Sequence, residues 1–469
     1  MQTEASMTTV IPERADILIR RAYIVTLDPQ NRVLSDGAIA ITGKRITWIG
    51  TSNEAKKIVA AEVIDAYGHI VLPGMVDAHF HTGQQLLRGK LQAIGRTRPL
   101  KLPVWKNYLI PWESCLEPED VHLSGLVAYS NMIQVGTTCF AEAGGPHPDE
   151  MGKAALEVGI RGFISQSTMD RNESIGANVP ANMLFTHDEA LEKNVSLVNR
   201  WKDGDRVLAS MSLRQVIVCS PALIRDIADE AKNADVKIHT HLCEGSYEID
   251  FTAEKFGLRP TEWLDSLGVL SHRLHCAHSV LLSDNEVDLY KKHRLSACHC
   301  AFGNYAIGHP RLVEMWRRGI DIGLGTDGPA GGGTLDIFQV AKTARVAQQA
   351  IHSSTLHWRD PISAEEILKI ATQGGARALG IYDQIGTLEV GKKADLLIAR
   401  TDSMDHHPMQ DPLFVASSVL VGRDVDTVLV DGQVVMRKRE MLGVDVERIK
   451  ARLEERMPII SERFERLVA

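Results

Sequence analysis

The chain has 469 residues, 44% of them hydrophobic and 24% charged, with a formal net charge of -8 and a pI near 6.1. That length fits one large domain plus a smaller one, and an acidic balance without basic runs interleaved with aromatics argues against a nucleic-acid surface. The sequence shows no run of about 18 apolar residues to cross a membrane and no basic, apolar signal segment at its start, so it predicts a cytoplasmic protein without a membrane partner. The seven cysteines, at 115, 139, 219, 243, 276, 298 and 300, lack the paired spacing of a disulfide framework or zinc ribbon, which also suits a reducing cytoplasm.

Residues 15–73 hold short alternating runs such as Asp16-Ile17-Leu18-Ile19 and Ile39-Ala40-Ile41, broken by Asp36-Gly37 and Gly43-Lys44, and read as a β-sheet segment. The chain then enters Pro73-Gly74-Met75-Val76-Asp77-Ala78-His79-Phe80-His81, an apolar run closing on two histidines one residue apart. Side chains i and i+2 share a face of a strand, so both imidazoles can reach one ion from a rigid strand end. Residues 84–115, with Arg88, Arg96, Arg98, Lys101, Trp105 and Trp112, form a long insertion that caps a site or joins subunits.

Further on, apolar runs near 71–78, 137–142, 160–166, 207–213, 235–241, 273–277, 295–299 and 321–326 supply eight candidate strands, with helical patterns such as Val121 to Ala128 between several of them. This alternation favours a parallel α/β barrel over an all-β fold. Ionisable residues fall at the C-terminal ends of the runs, where barrel enzymes place their chemistry. Val236-Lys237-Ile238-His239-Thr240-His241-Leu242-Cys243-Glu244 offers His241 as a third nitrogen ligand, and Glu244, three residues later, as a group that moves protons. Arg273 to His278 closes on a histidine, and Ile320 to Gly328 delivers Asp327, which completes the ligand set. Cys298-His299-Cys300 points its side chains alternately to opposite faces, so a cysteine metal site is disfavoured there. After residue 385 the sheet texture returns in Asp395-Leu396-Leu397-Ile398-Ala399 and in Val428 to Val435, with a hairpin-like Asp431-Gly432 turn, and Val446 to Leu453 reads as an amphipathic helix.

Three neutral imidazoles and one carboxylate suit zinc or ferrous iron and leave a coordination position open, as in catalytic sites. A divalent ion held so would lower the pKa of a coordinated water to roughly 7.

In this order the motifs resemble the amidohydrolase superfamily, and within it the branch of mononuclear metal deaminases and chlorohydrolases acting on nitrogen heterocycles. The resemblance spans nearly the whole chain, from Ala15-Asp16-Ile17-Leu18-Ile19 through Leu72 to His81, His239 to Glu244 and Gly325-Thr326-Asp327-Gly328, to Gly386-Thr387-Leu388-Glu389-Val390-Gly391-Lys392-Lys393-Ala394-Asp395-Leu396. It implies an α/β fold: a (β/α)8 TIM-like barrel over 74–384, a small β-sandwich built from both chain ends (1–73 plus 385–440), and a helical extension over 441–469. It implies one divalent metal, zinc with iron as the alternative, held by His79, His81, His241 and Asp327. Glu244 would be the proton shuttle and His278 the hydrogen-bond partner of attacking water and substrate, with Asp327 as a second proton acceptor. His299 stands where the family has a histidine at the end of the seventh barrel strand, and either a substrate contact or a place behind the residues that meet the ion and substrate is expected there. Dimers are common in the family, so a homo-oligomer is expected.

The implied reaction is hydrolytic deamination of an aromatic ring carbon, with ammonia released from a small heterocyclic substrate. Binuclear members carry a bridging lysine at the end of the fourth strand, and here Val207 to Gln215 has none, which favours one metal. Gln84 and Arg214 match positions at which guanine deaminases meet a purine, and a guanidinium suits a ring carbonyl. An oxo-purine, pterin or related aminoheterocycle is therefore expected. The alternatives are removal of chloride or alkylamine from a triazine-type ring, and an S-adenosylhomocysteine or adenosine-type deaminase; Ser212-Leu213-Arg214 also resembles formiminoglutamate deiminases. Gly328-Pro329-Ala330-Gly331-Gly332-Gly333-Thr334 departs from the family's asparagine-bearing segment after the metal aspartate.

Overall fold

The computed structural model describes residues 10–173, 179–356 and 360–468. The chain opens with five strands, β1 (Arg14–Val25), β2 (Val33–Thr42), β3 (Arg45–Thr51), β4 (Val59–Asp65) and β5 (Ile70–Pro73). Nine more follow: β6 (Met75–Phe80), β7 (Thr137–Glu142), β8 (Arg161–Ile164), β9 (Val207–Ala209), β10 (Met211–Gln215), β11 (Ile238–Leu242), β12 (Leu274–His278), β13 (Ser296–His299) and β14 (Asp321–Leu324). The last four are β15 (Leu396–Ala399), β16 (Val425–Val430), β17 (Gln433–Arg437) and β18 (Glu440–Met441).

The central strands form two parallel sheets, one ordered β6-β7-β8-β9 and the other β10-β11-β12-β13-β14. Each of the eight apolar runs in the sequence contains strand residues of these sheets, and the run at 207–213 is split at Ser210 into β9 and β10. Their residues are buried on both faces, as expected of parallel strands covered by helices. One such helix, Pro118–Gln134, starts where its sequence says it should, with Pro118 in the first turn and the Asp120 carboxylate accepting the Glu117 backbone N–H at 3.0 Å.

The two ends of the chain meet in a nine-stranded sheet of order β18-β17-β16-β15-β5-β1-β2-β3, with β4 beside β1. Leu396 of β15 stands opposite Pro73 of β5 in antiparallel register. Gly74 then turns the chain from this sheet into β6: a Cβ there would lie 2.0 Å from Thr138 Oγ1, so only glycine fits the crossing. A buried ion cluster ties the same sheet to the base of β8. Arg161 donates to Asp395 Oδ2 at 2.7 Å and to Asp431, and Arg206 reaches Asp431 at 3.2 Å. The C-terminal helix Val446–Val468 docks on helix Pro118–Gln134 through Arg456 and Arg463, which bond the fully buried Asp120 at 2.9 and 3.0 Å, and on Trp112 through Phe464.

Candidate metal centre

β6 carries His79 and releases His81 just past its end, β11 carries His241, and the turn after β14 carries Asp327. Register places Leu242 opposite His278 on the neighbouring strand, so the fourth imidazole arrives at the same level. His278 and Asp327 both hold positive φ, +68° and +62°, where no glycine stands. Such backbone is uncommon for these residues and persists where surrounding contacts fix it. Asp77 supplies some of that fixing: its carboxylate accepts the Thr326 N–H at 3.1 Å and the Thr326 hydroxyl at 2.6 Å.

The ring nitrogens converge. His79 Nε2 lies 3.3 Å and His81 Nε2 3.7 Å from Asp327 Oδ1, and His81 Nε2 and His241 Nε2 are 3.1 Å apart. His241 donates its Nδ1–H to the Arg214 carbonyl at 2.6 Å, which leaves the Nε2 lone pair facing the centre. His79 Nε2 is buried without any hydrogen-bond partner. Burial pushes the His79 pKa down to about 4 and those of His81 and His241 well below the ordinary histidine value, so all three rings are neutral near pH 7. Burial pushes the Asp327 carboxyl up, but the close approach of the His79 ring and the His278 and Arg214 charges outweigh it and hold the pKa below its ordinary value. Neutral imidazoles with lone pairs aimed at one point, one orphaned nitrogen and an ionised carboxylate fit a divalent cation of the zinc or iron type.

Around this point further polar and ionisable groups are arranged in pairs. Glu244 follows β11; its Oε1 is 4.0 Å from His278 Nε2, and its Oε2 accepts the Tyr247 hydroxyl at 3.1 Å and the Gln215 amide at 3.0 Å. His278 is anchored from behind by Asn304 Oδ1, 3.0 Å from its Nδ1. Burial disfavours its cation, yet the Glu244 and Asp327 charges outweigh burial and raise its pKa above the ordinary value. A cavity of about 40 Å³ lined by His81, Trp105, Leu109, Arg214, Gln215, His241, Glu244, His278 and Asp327 opens here. A second cavity of about 300 Å³ adjoins it, sharing Leu109 and Asp327 and lined also by Gln84, Leu91, Val104 and Ala330. The insertion thus supplies much of the wall through Trp105 and Leu109.

The three expected substrate contacts are differently placed. Arg214 lines the smaller cavity, but its guanidinium is spent on Glu113, at 2.8 and 3.1 Å, and on the Gly144 carbonyl at 2.9 Å. Gln84 borders the larger cavity and donates to Glu113 as well, at 2.7 Å. His299 is joined to the site through Asn304, 3.0 Å from its Nδ1, and does not line either cavity. Cys298 and Cys300 lie 4.0 Å apart, sulfur to sulfur, outside the two groups of ligand atoms that converge among the described residues.

Sequence reasoning missed Glu113, Gln215, Tyr247 and Asn304. Tyr247 follows Glu244 by three positions on the next helix, the one signal that could have found it.

The model of the family described as "Amidohydrolase family" matches residues 70–435. The chain belongs to the amidohydrolase family. Relatives named 5-methylthioadenosine/S-adenosylhomocysteine deaminase include one from Caldanaerobacter subterraneus subsp. tengcongensis, 31% identical with 94% of this chain and 98% of the relative covered. Another, from Acetivibrio thermocellus, is also 31% identical over 94% and 98%. Among solved structures, an adenosine deaminase from Xanthomonas campestris with bound zinc superposes with a TM-score of 0.88 at 27% identity, covering 96% of this chain and all of that one. E. coli guanine deaminase shares the amidohydrolase fold at a TM-score of 0.77 and 23% identity, over 90% and 99% of the two chains. Among the described residues, no helix is long and apolar enough to cross a membrane.

Proposed function

We propose that the protein is a metal-dependent hydrolytic deaminase that removes an amino group from a ring carbon of a nitrogen heterocycle and releases ammonia. The observation that carries this is the convergence of His79, His81, His241 and Asp327 beside Glu244 and His278. Those four residues would hold one divalent ion, zinc first and iron second. When bound, the ion makes a water nucleophilic near neutral pH.

The chain's own groups account for the proton traffic. Asp327 accepts a proton from the attacking water, and His278, its Nδ1 engaged by Asn304, turns Nε2 toward the oxygen that attacks. Glu244 protonates the ring nitrogen beside the reacting carbon and then the departing amine, steered by the two hydrogen bonds on its Oε2. An amine must be protonated to leave, whereas chloride need not be, so Glu244 favours deamination over dehalogenation.

For the substrate, Gln84 beside the larger cavity supports an oxo-purine, pterin or similar ring. A second reading, a 5-methylthioadenosine or S-adenosylhomocysteine type substrate, is favoured by the Arg214–Glu113 pairing, which neutralises the cation meant to read a carbonyl, and by the names of the relatives. Ammonia release by zinc-loaded protein on guanine, 8-oxoguanine, pterins, oxotriazines, 5-methylthioadenosine and S-adenosylhomocysteine tests both. No release from any of them would reject the deaminase reading.

The proposal extends to the scaffold. The two parallel sheets form one eight-stranded barrel in which β9 and β10 count as a single strand broken at Ser210. It is supported by the bond Asp327 N–H to His79 carbonyl (3.0 Å) across the β14–β6 seam and by Ser210 N–H to Ile164 carbonyl (3.0 Å), which carries the β8–β9 pairing up to β10. The nine-stranded sheet folds as a sandwich, since Ile17, Ile19, Ile39 and Ile41 share one core with Leu396, Ile398 and Leu429. On this division residues 1–73 with 385–440 form the sandwich, 74–384 the catalytic barrel and 441–469 an extension. The seven buried, unpaired cysteines fit a cytoplasmic setting, and sedimentation of the purified protein tests the homo-oligomer.

A further inference from the structure

β11 contributes a second inward-facing histidine, His239, two residues before the ligand His241 and on the same face. Its Nε2 lies 2.8 Å from Nδ1 of His79, and both residues are buried, at 2% and 0% exposure. One proton is shared along that line. If it sits on His79 Nδ1, His239 accepts it and the His79 Nε2 lone pair is free for an ion. If it sits on His239 Nε2, His79 must carry its proton on Nε2 and cannot coordinate.

We infer that His239 is a positioning residue for the metal centre: its Nε2 accepts the Nδ1–H of His79, fixing the ligand ring and its metal-competent tautomer. This rests on the metal reading above and adds a residue to it. The usual partner of a ligating histidine is a carboxylate, a backbone carbonyl or water, and here a neutral imidazole takes that place. His239 is itself held: the His275 ring stands edge-on against it, with centroids 4.8 Å apart and planes at 78°. His275 in turn is locked at both nitrogens, Nε2 2.8 Å from the Ala78 carbonyl and Nδ1 3.0 Å from Ser296 Oγ. A row of three histidines therefore runs from the ion site into the core, with its far end anchored to β6 and β13.

The test uses full-length, metal-stripped protein and zinc alone as the probe, with affinity read by chelator competition. His239→Leu removes the acceptor and should weaken zinc binding by about 10- to 100-fold. His239→Gln places an amide oxygen near the position of Nε2 and should restore affinity to within about threefold of the parent, which simple loss of packing would not explain. Equal zinc affinity in parent and His239→Leu would overturn the inference. Parent protein that takes up no zinc would instead overturn the metal reading. Should the leucine variant fail to fold, ring-nitrogen NMR of the unmutated, zinc-loaded protein decides: the expected result is a proton on His79 Nδ1 with His239 Nε2 unprotonated, and the reverse assignment defeats the proposal.

Discussion

The Tyr247 hydroxyl donates to Glu244 Oε2 at 3.1 Å while accepting the Gln215 amide at 2.9 Å, so the carboxylate is held by a donor that is itself held. Tyr247→Phe removes one hydrogen bond to a charged group and leaves the ring in place. A loss of about 10- to 100-fold in kcat with little change in KM is expected, from the roughly 1.5–3 kcal/mol such a bond carries. Steady-state kinetics check it, and a change confined to KM would assign Tyr247 to substrate binding instead.

Glu244→Gln keeps the shape of the group but not its proton. Zinc content should match the parent and turnover should fall by about 10²- to 10⁴-fold, as for loss of a general acid–base. Metal analysis alongside ammonia release separates the two effects; unchanged turnover would remove Glu244 from the shuttle role.

Glu113 is 1% exposed and carries both the Arg214 ion pair and the Gln84 amide. Glu113→Ala leaves a buried guanidinium without its counter-charge and should cost about 3–5 kcal/mol of stability. Denaturant unfolding measures this. A cost below about 1 kcal/mol would mean that Arg214 finds another partner or water.

Glu248 is fully buried, and its Oε2 accepts the Glu244 N–H at 3.0 Å. Burial raises its pKa from 4.5 to about 8, and Glu142 is raised to about 8 for the same reason. The folded state thus binds protons that the unfolded chain releases. This contribution to stability is complete below about pH 4.5 and is lost as pH rises toward 8. Glu248→Gln, neutral at every pH, should flatten the fall in thermal midpoint between about pH 5 and 8; a parallel, unflattened curve would show that Glu248 is already ionised in the fold.

Much of the centre was legible in the sequence because its residues sit at the ends of apolar runs. His79 and His81, His241 and Asp327 each close a strand-like stretch, and parallel strands bring their ends together whatever lies between them. The eight runs could be read for the same reason: strands buried on both faces are continuous in the sequence. The charge pairing within the pocket wall was not legible. Glu113 meets Arg214 from a distant insertion, and no local pattern marks a carboxylate that neutralises a cation presented by another element. Arg214 therefore read as a free donor, whereas its hydrogen bonds go to Glu113 and Gly144. Nothing in the sequence sets His239 apart from its neighbours, and only its 2.8 Å approach to His79 gives it a partner.

The antiparallel pairing of Leu396 with Pro73 has a consequence for biosynthesis. β6, which carries His79 and ends just before His81, follows β5 after the turn at Gly74, and β5 lies between β1 and β15, a strand that leaves the ribosome only after all the metal-centre residues have been made. Long-range pairings of this sort form late. A nascent chain halted before Leu396 should therefore hold its histidines beside a β5 paired only with β1 and retain zinc more weakly, while release of the last strands should strengthen retention; ribosome-bound chains of graded length would show at which residue the ion first stays firmly bound.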